Sequence, residues 1–114
     1  MDATELILLY DYYGMLLTDR QKECFELRYN QDLSLGEIGQ ELGISRQGVH
    51  DNLVRTEALL KNMEAKTGCV SRDLKCRKAA QQIMLLTREL SRHADSNVVR
   101  CAEKLSALAH ELEE

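Results

Sequence analysis

The sequence predicts an all-α fold, and three features of the chain support this prediction. Its 114 residues include no proline, which is the residue that most strongly interrupts helices. Charged residues make up 30% of the chain, and most of them recur at helical spacing between apolar ones. Two pairs, Thr18 with Gln21 and Ser34 with Glu37, have the spacing of capping boxes, which begin helices.

Residues 34–53 predict a short helix, a turn and the start of a second helix. Ile38 and Leu42 lie four residues apart, so they share one face of the short helix. Gly43 follows at the position where a helix commonly ends in a left-handed residue. Gly39 stands half-way along this helix, where the absence of a side chain lets the second helix cross closely. The segment is typical of a helix-turn-helix motif.

The second helix of this motif is predicted to continue well beyond the motif. Ser45 is a good N-cap residue, so the helix should begin at Arg46. Its buried face is marked by apolar residues at helical spacing, which are Val49, Leu53, Leu60 and Met63. This pattern extends the helix to about Lys66, and Thr67 and Gly68 should end it.

The remaining segments also read as helices. A first helix is expected over residues 3–13, a second over 19–30, a fifth from about 71 to 93 and a last one after a turn at 94–97. The apolar stripes of the last two helices are Leu74, Ile83, Leu86 and Leu90, then Val98, Cys101, Ala102, Leu105, Leu108 and Leu112. We therefore predict a helix-turn-helix domain over residues 1–67 and, over 68–114, a helical hairpin that serves packing or dimerisation.

The charge is unevenly distributed along the chain. The net charge is −4, yet residues 1–43 contain nine acidic and three basic side chains and so carry −6. A domain that binds duplex nucleic acid by itself usually presents a basic surface. No apolar run approaches the ~20 residues that span a bilayer, and no secretory signal is recognisable, so we expect a cytoplasmic protein without a membrane partner.

No residue pattern in the chain predicts catalysis or metal binding. The four cysteines, Cys24, Cys69, Cys76 and Cys101, include no Cys-x-x-Cys pair and have no histidine at ligand spacing. There is also no glycine-rich phosphate loop and no nucleophile with a suitably spaced histidine and acid. We expect a protein that is not an enzyme and that needs no metal or cofactor.

The outward face of the fourth helix is the candidate binding site. In a helix-turn-helix protein, the first residues of the second helix of the motif contact base edges in the major groove. The candidate nucleic-acid-binding residues are Ser45, Arg46, Gln47, His50, Asp51, Val54 and Arg55. Arg46 and Gln47 have side chains suited to guanine and adenine edges, whereas Asp51 would be repelled by phosphate. The same face would also suit a protein partner or plain solvation.

A secondary basic cluster opens the fifth helix. It consists of Arg72, Lys75, Arg77 and Lys78 and is interrupted by Asp73. Cations at a helix N-terminus oppose the helix dipole, at a cost of roughly 0.3–1 kcal/mol each. An anion that compensates for this cost would be a phosphate or the acidic first half of the same chain. The third interpretation is that the cluster is only solvated and binds nothing.

The first 66 residues resemble the YlxM family of helix-turn-helix proteins. The resemblance is carried by LLYDYYGMLLTDRQKECFELRYNQDLSLGEIGQELGISRQGVHDN and by the following LVRTEALLKNMEAK. The same stretch is similar, more loosely, to the promoter-binding region 4 of sigma factors. The chain departs from the family pattern at Gly48, where such proteins usually carry alanine, and after Gly68 it matches only in being helical.

The resemblance implies a small cytoplasmic bacterial protein encoded beside the genes of the signal recognition particle, with a regulatory role in that targeting pathway. Its partner would be the protein or the RNA of the particle. The alternative is a sequence-specific DNA-binding transcription regulator that acts as a dimer, and a protein–protein adaptor is a third reading. We also expect a homodimer, because the first and last helices carry more apolar surface than one small monomer can cover.

Overall fold

Helices are the only regular secondary structure in the part that the structure describes, residues 2–113 of a computed structural model. Met1 and Glu114, the outer ends of the two predicted domains, lie outside the described residues. The helices are α1 Ala3–Tyr13, α2 Asp19–Tyr29, α3 Leu35–Leu42, α4 Arg46–Thr67, α5 Cys69–Leu90 and α6 Ser96–Glu113, with a 3-10 turn at Gly14–Leu16. This arrangement confirms the predicted all-α class with its long fourth helix. The chain divides into two compact units at Gly68, and each is described by itself below.

Both predicted capping boxes are formed. The Ser34 hydroxyl accepts a hydrogen bond from the Glu37 amide at 3.1 Å, and the Glu37 carboxylate accepts one from the Ser34 amide at 3.1 Å. The hydrogen bond from the Ser34 amide, followed by the Ser34 hydroxyl beside the carboxylate, lowers the pKa of the Glu37 carboxyl group, because both stabilise its charged form. Thr18 and Gln21 form the same reciprocal pair at the start of α2. Each box satisfies amides that the first turn of a helix leaves without partners.

The core of the first unit lies between α1, α2, α3 and α4. Cys24, Ile38, Val49 and Leu53 form one buried cluster, and burial raises the pKa of the Cys24 thiol. Phe25 is fully buried beside them and stacks on Tyr10 with ring centroids 4.3 Å apart. On α1, Leu6, Leu9 and Tyr13 are buried in this core, whereas Ile7, Leu8 and Tyr12 on the other side of the helix are half-buried.

Three tyrosine–glutamate hydrogen bonds join α1, α2 and α4 in pairs. Tyr10 on α1 donates to Glu26 on α2 at 2.8 Å, Tyr13 on α1 donates to Glu64 on α4 at 2.7 Å, and Tyr29 on α2 donates to Glu57 on α4 at 2.5 Å. Partial burial, followed by the bonded carboxylate, raises the pKa of both Tyr10 and Tyr29 to about 12. Each pair among these three helices is therefore joined by a side-chain hydrogen bond in addition to apolar packing.

The second unit is the predicted helical hairpin of α5 and α6. Its seam consists of small side chains, since Ala80 and Thr87 on α5 and Ala102 and Ala109 on α6 are buried. Small residues at seven-residue spacing let two helices approach closely along their length. Asp95 lies just before α6 and accepts a hydrogen bond from the Asn97 amide at 2.8 Å, which satisfies one amide of the first turn.

The hairpin corrects two details of the sequence-based description. Helix α5 begins at Cys69 and ends at Leu90, whereas the sequence predicted a helix from about 71 to 93. The leucines expected to mark the buried stripes are exposed, whereas Ala80, Ala102 and Ala109 are buried, and of these three only Ala102 belonged to a predicted stripe. The physical reason is that close helix pairing selects small side chains for the seam and displaces large ones to its edges. No helix of residues 2–113 is both long and apolar enough to cross a membrane.

Candidate nucleic-acid interface

The turn between α3 and α4 is held in a closely packed conformation. Gly43 ends α3 with a φ of 70°, in the left-handed region that glycine adopts without strain. The Ile44 amide then donates to the Gly39 carbonyl at 3.0 Å. A Cβ atom on Gly39 would lie only 2.7 Å from the Ile44 carbonyl oxygen, so this position requires glycine. The predicted close crossing is therefore present, and the contact is made by the turn itself.

The start of α4 is fixed by its cap and its packing. The Ser45 hydroxyl accepts a hydrogen bond from the Gly48 amide at 2.9 Å. One turn along, Val49 is fully buried against Ile38 of α3 and Cys24 of α2. The backbone of the first two turns of α4 is thus held by α2 and α3, and the side chains that point away from this core are presented in a defined orientation.

All seven candidate nucleic-acid-binding residues are exposed. The structure places the following side chains at the surface of α4 or its cap: Ser45, Arg46, Gln47, His50, Asp51, Val54 and Arg55. Arg46, Gln47 and His50 also line one shallow depression together with Leu35 of α3. Arg46 and Gln47 provide donors and an acceptor that match base edges, so the arrangement is chemically able to contact nucleic acid.

Asp51 organises the centre of this surface. Its Oδ1 atom accepts a hydrogen bond from Gln47 Nε2 at 3.0 Å and lies 3.5 Å from His50 Nδ1. The His50–Asp51 contact is an ion pair only when the imidazole is protonated. Because Gln47 donates one of its two amide protons to Asp51, its other amide proton and its carbonyl oxygen remain for a ligand. The sequence showed Asp51 only as a charge that repels phosphate, and its contact with Gln47 depends on side-chain geometry.

An apolar groove adjoins the candidate residues and was not predicted. It has a volume of about 470 Å³ and is lined by Gln21 of α2 and by Arg55, Ala58, Leu59 and Asn62 of α4. Val54 and Leu59 are exposed on the same stretch of α4. The sequence contains one indication of this groove. Val54, Ala58 and Asn62 are spaced four residues apart, so they extend the outward face of α4, and these residues are mostly small or apolar.

Three members of the secondary basic cluster, Arg72, Lys75 and Lys78, recur every three residues along one side of α5, and Arg77 lies on a different side. Arg77 pairs with Asp73 through a 3.3 Å contact between Nε and Oδ2, one turn apart on α5. Lys75 and Lys78 are exposed and lie three residues apart on a different side of the helix from Arg77. Arg72 is exposed as well. The pairing with Asp73 offsets part of the unfavourable interaction between these cations and the helix N-terminus.

Among residues 2–113, no three His, Cys, Asp or Glu side chains are placed so that they could hold a metal ion. Cys24 is buried, whereas Cys76 and Cys101 are exposed on the hairpin.

These features define a helix-turn-helix protein, in which a buttressed second helix presents polar side chains at its N-terminal end. A family model described as "Putative helix-turn-helix protein, YlxM / p13 like" (UPF0122) matches residues 1–105. The chain belongs to this family. The match continues through most of the hairpin, so the likeness extends further than the first 66 residues that the sequence motifs indicated.

Relatives of known sequence agree with this assignment. The chain is 43% identical to a UPF0122 protein of Thermoanaerobacter sp. (strain X514) over 99% of its own length and 95% of the relative. It is 50% identical to a UPF0122 protein of Acetivibrio thermocellus over 70% of its own length and 68% of the relative. A UPF0122 protein of Desulforamulus reducens is 55% identical over 57% of this chain and 56% of the relative. The family description and the exposed face of α4 together suggest nucleic-acid binding.

Proposed function

We propose that this protein is a cytoplasmic regulatory accessory of the signal recognition particle pathway that binds nucleic acid, with the particle RNA as its ligand, through the first two turns of α4. The observation that carries the proposal is the exposed Arg46–Gln47 pair on a helix whose backbone is fixed by the Ser45 cap and the buried Val49. The pathway itself is inferred from the family resemblance. The protein acts by binding and performs no catalysis.

The charge distribution favours RNA over a long DNA duplex. Residues 1–43 carry −6, and they supply the helices that flank the start of α4. A long duplex would bring many phosphates close to these acidic helices, at a cost that grows with each contact. A folded RNA offers loops and bulges whose bases are accessible without a continuous phosphate track. A short contact through the end of one helix suits such a ligand.

The test compares particle RNA with duplex DNA of equal length in a fluorescence binding assay at physiological salt. We expect binding to the RNA that is at least about tenfold tighter, since RNA loops avoid the acidic helices. Replacing both Arg46 and Gln47 with alanine should weaken RNA binding by at least about 30-fold, because two base contacts at ~1–3 kcal/mol each contribute at least ~2 kcal/mol together. Lys61→Ala, which removes one positive charge further along α4, is the matched control and should change binding little.

Two results would refute this function. One is equal affinity for RNA and DNA together with insensitivity to the Arg46 and Gln47 replacements. The other is a purification from cells in which the protein retains neither the RNA nor the protein of the particle. The apolar groove beside Arg55 supports a role for the particle protein as a second contact, and its binding can be measured in the same pull-down.

A sequence-specific DNA-binding regulator is the second candidate. It is supported by the exposure of Arg46 and Gln47 at the end of α4 that enters the major groove in helix-turn-helix proteins. This function needs two copies, because a single acidic unit contacts too few phosphates. We propose a homodimer in either case. A gel shift that selects one genomic fragment, and that is lost on replacing Arg46 and Gln47, would favour this candidate over the first.

A further inference from the structure

The buried seam of the hairpin divides its surface into two sides. Ala80 and Thr87 on α5, and Ala102 and Ala109 on α6, are the buried positions of the seam and repeat every seven residues. In an antiparallel pair of helices, positions with the same offset from the seam fall on the same side of the hairpin. On each helix, a residue three positions after a seam residue and a residue one position before it point to the same side. These positions of α5 and α6 therefore share one side of the hairpin.

All eight positions on this side are apolar, and we call them the leucine face. The positions three after the seam are Ile83, Leu90, Leu105 and Leu112, and those one before it are Ala79, Leu86, Cys101 and Leu108. The five leucines are between 42% and 59% exposed. The positions one after the seam, on the opposite side, are all polar, and they are Gln81, Arg88, Glu103 and His110. The hairpin is thus apolar on one side and polar on the other.

The leucine face supplies a large part of the apolar surface that a dimer requires. The exposed fractions of the five leucines add up to about two and a half complete side chains, which is roughly 300 Å² on each copy if a leucine contributes ~120 Å². Two such faces supply roughly 600 Å², more than half of the ~1,000 Å² of apolar area in a standard homodimer interface. The flanking Ile83, Ala79 and Cys101 add to this area.

The repeat on the leucine face also specifies the shape of its partner. Apolar residues three after and one before each seam position follow the seven-residue repeat by which helices interlock in four-helix bundles. A second copy presents the same repeat with the same spacing and no charge among its eight positions. Two identical faces related by a two-fold axis are self-complementary.

We propose that two copies of this chain pack leucine face against leucine face and form a four-helix bundle from their α5–α6 hairpins. This proposal deepens the homodimer of the proposed function and rests on it. It places the two-fold axis in the hairpin, and no candidate residue of α4 belongs to the leucine face.

The test uses neighbouring leucines as a matched pair. Leu86 and Leu85 are 59% and 60% exposed, but Leu86 has Ile83 and Leu90 as its helical neighbours, whereas Leu85 is surrounded by Gln81, Arg88 and Glu89. Sedimentation equilibrium without nucleic acid should show the wild type at twice 13.0 kDa at micromolar concentration. Leu86→Glu should raise the dissociation constant at least about 100-fold, because it buries an unpaired carboxylate, and Leu85→Glu should leave the dimer intact.

A second measurement covers the case in which Leu86→Glu loses helicity in circular dichroism. A spin label on Cys101, with Cys69 and Cys76 replaced by serine and Cys24 kept as a buried thiol, should show strong coupling between copies. Cys101 lies on the leucine face, so the two labels should be about one interhelical distance apart, ~10 Å. The same label at residue 85, with Cys101 also replaced, should show no such coupling.

The possible results distinguish two questions, whether the protein forms a dimer and whether the leucine face is the dimer contact. A wild-type chain that stays monomeric at all accessible concentrations overturns both the homodimer and the leucine face. A dimer that persists in Leu86→Glu with full helicity, or one that is disrupted equally by Leu85→Glu, overturns the leucine face alone. Neither result bears on RNA binding, because nucleic acid is absent from these measurements.

Discussion

The hydroxyl oxygen of Tyr29 lies 2.5 Å from a carboxylate oxygen of Glu57 and links α2 to α4 at the base of the helix-turn-helix unit. Tyr29 also packs its ring against Phe25, with centroids 4.5 Å apart. One side chain therefore joins the apolar core to a charged group on the helix that carries the candidate site. Helix α4 carries both Glu57 and Arg46. The Tyr29–Glu57 hydrogen bond therefore helps to fix the position of the helix that presents the candidate binding surface.

The Tyr29–Glu57 link makes stability depend on alkaline pH. Tyr29 has a pKa of about 12 in the folded protein, and an unfolded tyrosine has a pKa of about 10. The unfolded chain then loses its proton first, so the stabilisation is complete below pH ~10 and is lost as the pH rises to ~12. We expect the melting temperature to fall across this range, and tyrosinate absorbance of the native protein should titrate later than that of the denatured protein.

Tyr29→Phe is the corresponding variant, and Tyr10→Phe is the parallel one for α1 and α2. Each should cost about 1 kcal/mol at neutral pH, because it removes a partly exposed hydrogen bond to a carboxylate. Each should also flatten the alkaline dependence. A wild-type melting temperature that is constant from pH 9 to the onset of alkaline unfolding would contradict the assigned role of these tyrosines.

Two glycines of α3 should respond in opposite ways to alanine. In Gly39→Ala the new Cβ would meet the Ile44 carbonyl oxygen at 2.7 Å, so the turn must shift, and we expect a loss of about 1–3 kcal/mol. In Gly36→Ala the Cβ meets nothing closer than the Ser34 hydroxyl at 4.0 Å, and the gain in helix propensity should stabilise the protein by up to about 1 kcal/mol. Urea denaturation of both variants measures the difference. Equal effects of the two substitutions would contradict the close crossing.

Gly48→Ala should stabilise the start of α4. Glycine in a helix interior costs roughly 0.5–1 kcal/mol relative to alanine, and the nearest atom to a new Cβ is the Ser45 hydroxyl at 3.2 Å. This oxygen belongs to a short side chain that can move by a few tenths of an ångström while it keeps its cap bond. We expect the melting temperature to rise by a few degrees. A fall would mean that the added methyl group disrupts the Ser45 cap.

Asp51→Asn should strengthen nucleic-acid binding. The substitution removes a negative charge from the centre of the candidate surface but keeps an oxygen that can accept the hydrogen bond from Gln47. We expect about fivefold tighter binding at low salt, which corresponds to ~1 kcal/mol of relieved repulsion, and a smaller gain at high salt. Glu23→Gln on α2 makes the same change in net charge and is the control for location. Weaker binding by Asp51→Asn would show instead that the carboxylate itself contacts the ligand.

The sequence by itself determined the helices and the motif. Capping boxes, the two glycine stops at Gly43 and Gly68 and the apolar positions Val49, Leu53 and Leu60 are local signals, because hydrogen bonding at a helix end involves residues only three or four positions apart. They predicted the all-α fold, the close crossing at Gly39 and the exposure of all seven candidate residues on α4. The assignment of residues 1–67 to a helix-turn-helix domain, and of residues 68–114 to a hairpin that serves packing or dimerisation, stays a prediction.

Only the tertiary structure decided which side chains meet across helices. The Tyr29–Glu57 link joins residues 28 positions apart, and the Gln47–Asp51 bond depends on rotamers that no periodicity specifies. In the hairpin, leucines and alanines recur at equally helical spacing, so the sequence could not show which of them form the seam. Close packing settled this, because the small side chains of Ala80 on α5 and of Ala102 and Ala109 on α6 are buried in the seam, and the larger leucines are then left at the surface.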